Sequence, residues 1–324
     1  MTDNLIQAIH QASALRPPGM VVTPLTLSTA LSESLGCRVH LKCEHLQSTG
    51  SFKYRGAANK IRVLDAASRA RGVVTASSGN HGQALALAGR VAGTSVTVYV
   101  ASSASPAKMS AIKAYGAELI VLDIDPLQVE LFARAEAERS GRTFVSPYND
   151  LDVVAGQGTI GVELLEQLPE MDAVFVAVGG GGLASGIGTA LKAARPEIQV
   201  IGCWPEVAQS LKRNLEEGRI FDVAEEATIS DGTAGNVEPG SVTFEICQRV
   251  LDARVAVSEV EINRAMREVA EAEHWIVEGA AGVAMAGVRA MASEVAGKSV
   301  VVILCGRNVG LERFVDSVGS THLG

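Results

Sequence analysis

The sequence lacks the marks of several function classes. It has no CxxC: its five cysteines (Cys37, Cys43, Cys203, Cys247 and Cys305) are scattered along 324 residues. That spacing argues against a zinc site and against a disulfide scaffold. An odd cysteine count with no signal peptide fits a reducing, cytoplasmic setting. Positive charge is also short. A net charge of -8 and a pI of about 5.4 leave a nucleic-acid partner without electrostatic support. Long apolar runs are missing too: 299–305 is among the longest, far below the roughly 20 residues that span a bilayer. The expectation is a soluble cytoplasmic protein with neither a membrane nor a nucleic-acid partner.

What the chain has is alternation. Its residues are 47% hydrophobic, enough for one large core or two moderate ones. A loosely helical 4–15 is followed by a predicted helix over 27–35 closed by Gly36, a strand over 38–42 and a helix over 56–64. Strands over 72–76, 95–100, 118–122 and 143–145 then alternate with helices over 83–91, 106–115 and 126–139. A second series runs helix 158–168, strand 173–178, helix 183–194, strand 199–203 and helix 206–217. A loop-like 228–240, strand 254–257, helices 258–274 and 278–291 and strand 299–304 complete it. No linker, repeat or low-complexity tract separates the two series. Such alternation implies parallel sheets with helices on both faces.

Four loops carry the chemistry. Lys53 follows the small, turn-prone Thr49-Gly50-Ser51 and precedes a helix. An amine at such a junction can form a Schiff base with an aldehyde and later act as a base, whereas most lysines are solvated surface charges. Val178-Gly179-Gly180-Gly181-Gly182-Leu183 follows an apolar strand and opens a helix, which suits a phosphate cradle. A dinucleotide site competes, but no acidic residue ends the next strand to hold a ribose. A purely structural tight turn is the third reading. In Ser77-Ser78-Gly79-Asn80-His81, backbone N–H groups can hold a carboxylate. Asn80 offers an amide to a phenolate oxygen, and Ser78 a hydroxyl for proton transfer. The plainer reading is a Ser/Asn helix cap, and His81 taken alone is structural. Cys305 stands at a strand end, where open α/β sheets place ligands, or is an ordinary buried cysteine.

Taken together, these loops resemble the fold-type II pyridoxal-phosphate enzymes, and among them the serine/threonine dehydratase and serine racemase family. The similarity runs from about Thr23 to Asn308. It includes Leu41-Lys42-Cys43-Glu44-His45-Leu46-Gln47, Ser51-Phe52-Lys53, Ser78-Gly79-Asn80-His81-Gly82-Gln83, Ala155-Gly156-Gln157-Gly158-Thr159-Ile160 and the four glycines. The resemblance implies an α/β fold of two open parallel-sheet domains, tryptophan synthase beta-like, with the active site between them. Residues 1–48 and 149–324 would form the large domain and 49–148 the small one. It implies pyridoxal 5'-phosphate held by Lys53, with Phe52 beside its ring and Asn80 on its phenolic oxygen. Gly179, Gly180, Gly181, Gly182 and Leu183 would take its phosphate, and a neutral Cys305 would face its pyridine nitrogen. The substrate carboxylate would lie on Ser77, Ser78, Gly79, Asn80 and His81.

The implied reaction is dehydration of an L-3-hydroxy amino acid to a 2-oxo acid and ammonia. Threonine, serine, phenylserine and 3-hydroxyaspartate are candidate substrates. Lys53 would remove the α-proton. A racemase is the alternative, with Ser78 as proton donor on the opposite face; a non-catalytic pyridoxal-phosphate-binding regulator is a third. A homodimer or higher homo-oligomer is the family-level expectation. Two departures stand out. Trp204 and Ser210 occupy positions where metal-binding members carry acidic ligands, so no metal is expected. The usual Ser-Gly-Gly-Asn is here Cys305-Gly306-Arg307-Asn308, with Arg307 directed either to the pocket or to solvent. The chain ends sixteen residues past Asn308, too short a tail for an appended regulatory domain.

Overall fold

The computed structural model describes residues 2–319, and for 2, 3, 126 and 127 the backbone alone. The chain opens with α1 (Thr2–Leu15), β1 (Leu25–Ser28), α2 (Thr29–Leu35) and β2 (Arg38–Lys42). Two 3-10 turns, Glu44–Leu46 and Ser48–Gly50, lead to α3 (Lys53–Val63) and α4 (Ala66–Arg71). Next come β3 (Val73–Ala76), α5 (Asn80–Ala92), β4 (Val96–Ala101), α6 (Pro106–Ala114), β5 (Glu118–Leu122), α7 (Pro126–Ser140) and β6 (Thr143–Phe144). The second series is α8 (Leu151–Gln167), β7 (Ala173–Ala177), α9 (Gly182–Ala194), β8 (Gln199–Pro205) and α10 (Ser210–Glu217). It continues with α11 (Val242–Val250), β9 (Ala253–Val257), α12 (Glu259–Glu273), α13 (Gly279–Ala290), β10 (Ser299–Ile303) and α14 (Leu311–Gly319).

Two sheets result. One has the order β1-β2-β10-β7-β8-β9, the other β5-β4-β3-β6. Every pairing is parallel except β1 with β2. Central strands such as β7 (AVFVA) and β10 (SVVVI) are buried at every position. Helices cover both faces of a parallel sheet, so a continuous apolar run replaces alternation. The pair of open parallel sheets matches the expected fold class.

Several boundaries differ from those predicted, each for a local reason. Helix α8 begins at Leu151 rather than 158, because Asp150 accepts the N–H groups of Asp152 and Val153 at 2.8 and 3.3 Å and so caps it. Its glycines, weak helix formers, serve close packing. A Cβ on Gly156 would lie 2.4 Å from the Arg55 carbonyl on α3, and one on Gly158 2.6 Å from Ile9 on α1. Helix α3 starts at Lys53 rather than 56, and α5 at Asn80 rather than 83. Strand β1, which pairs antiparallel with β2, occupies the first part of the predicted 27–35 helix. Helices α4, α11 and α14 fall in stretches that sequence patterning left unassigned.

Candidate active site

Lys53 reaches its position through a strap between two distant segments. Thr49 and Gly50 both have positive φ, 65° and 74°. For a β-branched residue this region is unfavourable, and cross-links hold it. Phe52 N–H donates to the Cys305 carbonyl (3.0 Å), Arg307 N–H to the Gly50 carbonyl (2.9 Å), and Asn308 Nδ2 to the Thr49 carbonyl (2.8 Å). Ser51 also bridges Gly306. The first residue of α3 is thereby fixed beside the end of β10, so Lys53 and Cys305, 252 positions apart in sequence, become neighbours.

Two helix N-termini face the same space, both at carboxyl ends of parallel strands, where open sheets bind ligands. Between β7 and α9, the glycine loop is packed tightly from behind. A Cβ on Gly180 would sit 2.4 Å from the Tyr148 ring, and one on Gly179 3.0 Å from Thr233. Gly181 has φ +85°, and its Cβ would meet Cys247 Sγ at 2.9 Å. The Gly180 carbonyl accepts from Thr243 Oγ1 (2.6 Å), and the Gly181 carbonyl accepts from Ser185 N–H (2.8 Å) and Cys247 Sγ (3.7 Å). With these carbonyls tied back, the N–H groups of Gly180 to Leu183 have no acceptor among the described residues. They form a cradle for an anion. Thr243 and Cys247 lie on α11, which sequence patterning missed; the TFEIC stretch carries no motif to reveal them.

Between β3 and α5, Gly79 is the N-cap and no side chain caps the helix. The expected Ser/Asn cap is therefore absent: Ser77 Oγ accepts only the Gly79 N–H, at 3.3 Å. The Ser78 hydroxyl makes no hydrogen bond among the described residues. His81 turns its ring to the Val145 carbonyl (3.0 Å), and burial pushes its pKa down to about 3, with Lys53 adding to the effect. Its imidazole is a neutral packing group, and its backbone N–H is what it offers the cleft.

Lys53, Ser78, Asn80, the glycine loop, Tyr148 and Cys305 line one cleft of about 880 Å³. Lys53 Nζ donates to the Pro147 carbonyl (2.9 Å) and lies 5.1 Å from the centre of the Phe52 ring. Burial pushes its pKa down to about 8, with Cys305 and Glu278 pulling the other way. Burial also raises the Cys305 thiol well above its ordinary value, so it is neutral. Arg307 is exposed and lies outside the cleft, whereas Asn308 lines it. Ion pairs Lys108–Asp231 (2.6 Å) and Arg134–Glu238 (2.7 Å) join α6 and α7 to the 228–240 loop around this cleft. No sequence motif announced Glu278, Tyr148 or these pairs. Trp204 is buried in β8, and Ser210 Oγ donates to Asn236 at 2.9 Å.

Comparison with known proteins decides the family. The profile described as "Pyridoxal-phosphate dependent enzyme" matches residues 17–306. The chain belongs to this family. It is 42% identical over 288 residues to an L-threonine ammonia-lyase of Thermotoga maritima, covering 89% of this chain and 71% of that protein. It is 38% identical over 309 residues to a catabolic L-threonine dehydratase of Staphylococcus aureus, covering 94% and 89%. Among solved structures, the processed form of threonine deaminase isoform 2 from Solanum lycopersicum superposes with a TM-score of 0.93. Identity there is 31%, with 100% of this chain and 95% of that one covered. Serine racemase from Dictyostelium discoideum gives a TM-score of 0.88 at 36% identity, covering 94% and 99%. As a member of the family the chain uses pyridoxal phosphate, and the cleft's chemistry fits that group. A cradle of unpaired N–H groups suits a phosphate, and a buried, partly neutral amine suits an aldehyde.

Proposed function

We propose that this chain is an ammonia-lyase that dehydrates an L-3-hydroxy amino acid, L-threonine first among the candidates, to a 2-oxo acid and ammonia. The observation that carries the proposal is the buried Lys53 amine between two anion-receptive helix N-termini, in a chain similar to proteins named for threonine deamination. One N-terminus, Gly180 to Leu183, would hold the cofactor phosphate. The other, 77–81, would hold the substrate carboxylate. When bound, pyridoxal phosphate supplies an electron sink that acidifies the α-carbon of an amino acid held through its nitrogen. Lys53 then acts as the base: an amine with a pKa of about 8 is partly neutral near pH 7 and can take the α-proton. The β-hydroxyl leaves as water, and hydrolysis of the unsaturated product returns that water and releases ammonia. Cys305, kept neutral by burial, would offer no anion to the cofactor's ring nitrogen. Phe52 and Leu183 supply apolar walls.

Racemisation is a second reading, favoured by Ser78, whose hydroxyl lines the cleft with no competing hydrogen bond. Incubation of the holoenzyme with L-threonine and L-serine separates the two: 2-oxobutanoate and pyruvate mark elimination, D-serine marks racemisation. Neither product from any 3-hydroxy amino acid would sink both. Borohydride reduction followed by peptide mapping should find the cofactor on Lys53, and a label on another lysine overturns that role. The proposal includes a homo-oligomeric, cytoplasmic enzyme, testable by light scattering and cell fractionation. Among the described residues no helix is long and apolar enough to cross a membrane. The proposed division into 1–48 with 149–324 and 49–148 is supported by the separate sheets, with α3 packed on α8 across the boundary.

A further inference from the structure

Beneath the 304–308 loop lies a buried carboxylate that no step above uses. Glu278, just before α13, is 7% exposed and forms no ion pair with a described residue. Gly306 makes room for it: a Cβ there would stand 2.6 Å from the Glu278 carboxyl carbon. The Glu278 backbone N–H donates to the Gly306 carbonyl at 3.1 Å, which fixes the side chain's origin. Its two oxygens accept from Asn80 Nδ2 at 2.9 and 3.0 Å, and the second also accepts the Asn308 N–H at 3.0 Å. Asn308 Nδ2 donates to Asn80 Oδ1 at 2.6 Å and closes the ring. Burial raises the Glu278 pKa, and the Asn80 and Asn308 bonds oppose that rise.

The ring has one consistent arrangement. An amide can turn over, exchanging its oxygen and nitrogen at little cost to packing. For Asn80 the choice is made at both ends: an acceptor-only group stands on the nitrogen side and a donor on the oxygen side. A single shared Nδ2 hydrogen can serve both carboxylate oxygens, which leaves the second free to serve a ligand. We propose that Glu278 is a positioning residue that orients the Asn80 amide so that an N–H, and not the carbonyl oxygen, is presented to the phenolic oxygen of pyridoxal phosphate. This rests on the proposed role of Asn80. A glutamine at 278 cannot substitute. With its oxygen in the second oxygen's place it still accepts from both, but its NH2 stands against Asn80 Nδ2, donor against donor; in the other orientation its NH2 opposes the Asn308 N–H as well. Turning Asn80 over to relieve the first clash sets its nitrogen against Asn308 Nδ2.

The test is a double-mutant cycle read by cofactor binding rather than turnover. Apoenzymes of the wild type, Glu278→Gln, Asn80→Ala and the double variant are titrated with pyridoxal phosphate, and the absorption band of each complex is recorded. Glu278→Gln is expected to weaken binding about tenfold, equivalent to roughly 1.4 kcal/mol, and to shift the band, since the phenolic oxygen loses its donor. The double variant is expected to bind no more weakly than Asn80→Ala alone, because Glu278 acts through Asn80. Multiplicative losses, or wild-type affinity and spectrum in Glu278→Gln, overturn the proposal. Asn80→Ala with wild-type affinity overturns the Asn80 role itself, an outcome distinct from the other two. If Glu278→Gln does not fold, Glu278→Met, which fills much of the same space with no acceptor, runs the same cycle with the same criteria.

Discussion

Two lysines eleven positions apart, Lys42 buried and Lys53 half-buried at the cleft, have opposite fates. Lys42, at the end of β2, is fully buried and saturated: Glu163 at 2.5 Å, the Thr23 carbonyl at 2.9 Å and Gln167 at 2.9 Å take its three hydrogens. Arg55 completes the cluster, bonding Glu44 at 2.7 Å and Glu163 at 2.6 Å. Two cations face two carboxylates: these hold Arg55 above its ordinary pKa, while burial still lowers that of Lys42 against the pull of Glu163 and Glu44. Lys53 has a carbonyl, a ring face and, among the described residues, no carboxylate within ion-pair distance. A lysine held by ion-pair partners makes structure; one left without them is a reactive amine. The two meet on one helix: Arg55, two residues past Lys53, anchors the start of α3 to the paired cluster.

Removing each lysine in turn breaks this comparison most strongly. Lys53→Ala should abolish turnover, by at least about 10³-fold or roughly 4 kcal/mol in barrier, while the apoenzyme melts no lower than wild type because no ion pair is lost. Lys42→Met should do the reverse. It leaves Glu163 short of a partner and should destabilise by about 3–5 kcal/mol, with turnover per folded molecule within about tenfold of wild type. Calorimetry and initial rates on both proteins check the pair. A stable Lys42→Met with no activity would mean that the paired cluster takes part in the chemistry.

The sequence revealed the site better than it revealed the supports of the site. Lys53, Asn80, the four glycines and Cys305 announce themselves because each sits in a short stretch of small residues at a strand or helix end, where side chains are few and function shows. Glu278 sits before an Ala/Gly-rich helix, and nothing local marks it as buried against Asn80, 198 positions earlier. Thr243 and Cys247, which hold back the glycine-loop carbonyls, lie on a short helix whose buried face (Thr243, Ile246, Cys247, Val250) has helical spacing but nothing that marks a site. The ion pairs of Lys42 and Arg55 depend on Glu163, on a helix that begins seven residues before the pattern suggested, since Gly156, Gly158 and Gly161 look like breakers but are contact points between helices. Strands were legible because buried parallel strands are continuous apolar runs. Contacts between distant segments were not.

A smaller effect sharpens the lysine contrast through pH. Only the neutral amine attacks an aldehyde, so capture of pyridoxal phosphate by the apoenzyme should speed up as Lys53 loses its proton. With its pKa lowered to about 8, the rate should climb about tenfold per unit below pH 8 and level off above it. A lysine of ordinary pKa would go on climbing past pH 10. Stopped-flow absorbance between pH 6 and 10 reads this directly. The linkage has a matching sign: between about 8 and the unfolded value the unfolded chain binds the extra proton, so Lys53 favours folding as pH rises there.

Ser78 should matter less to elimination, which returns no proton to the α-carbon. Ser78→Ala should remove racemisation and any turnover of D-substrates, and leave L-substrate elimination within about tenfold, roughly 1.4 kcal/mol. Because Gly79 and not Ser78 occupies the N-cap of α5, the melting temperature should not change; a helix cap would lose about 1 kcal/mol. An unaltered ratio of racemisation to elimination with a lowered melting temperature would sink the catalytic role.

The smallest expected effect is none. In and just after β8, around Trp204 and Ser210, where the resemblance implies acidic ligands in metal-binding members, the polar groups are already committed to one another. Ser210 donates its N–H to Glu225 (2.9 Å) and its hydroxyl to Asn236 (2.9 Å). Glu225 also takes the Gly235 N–H (2.7 Å), and Asn236 Oδ1 takes the Val223 N–H (2.8 Å). Trp204 presents a buried indole where a carboxylate would be needed. Glu225 thus ties the 228–240 loop to α10 by hydrogen bonds. Chelator treatment should therefore leave both turnover and melting temperature unchanged. Glu225→Ala should lower the melting temperature equally with and without chelator, since its bonds are to backbone N–H groups. A loss of activity on chelation that Mg²⁺ restores would show that this loop is held by a metal after all.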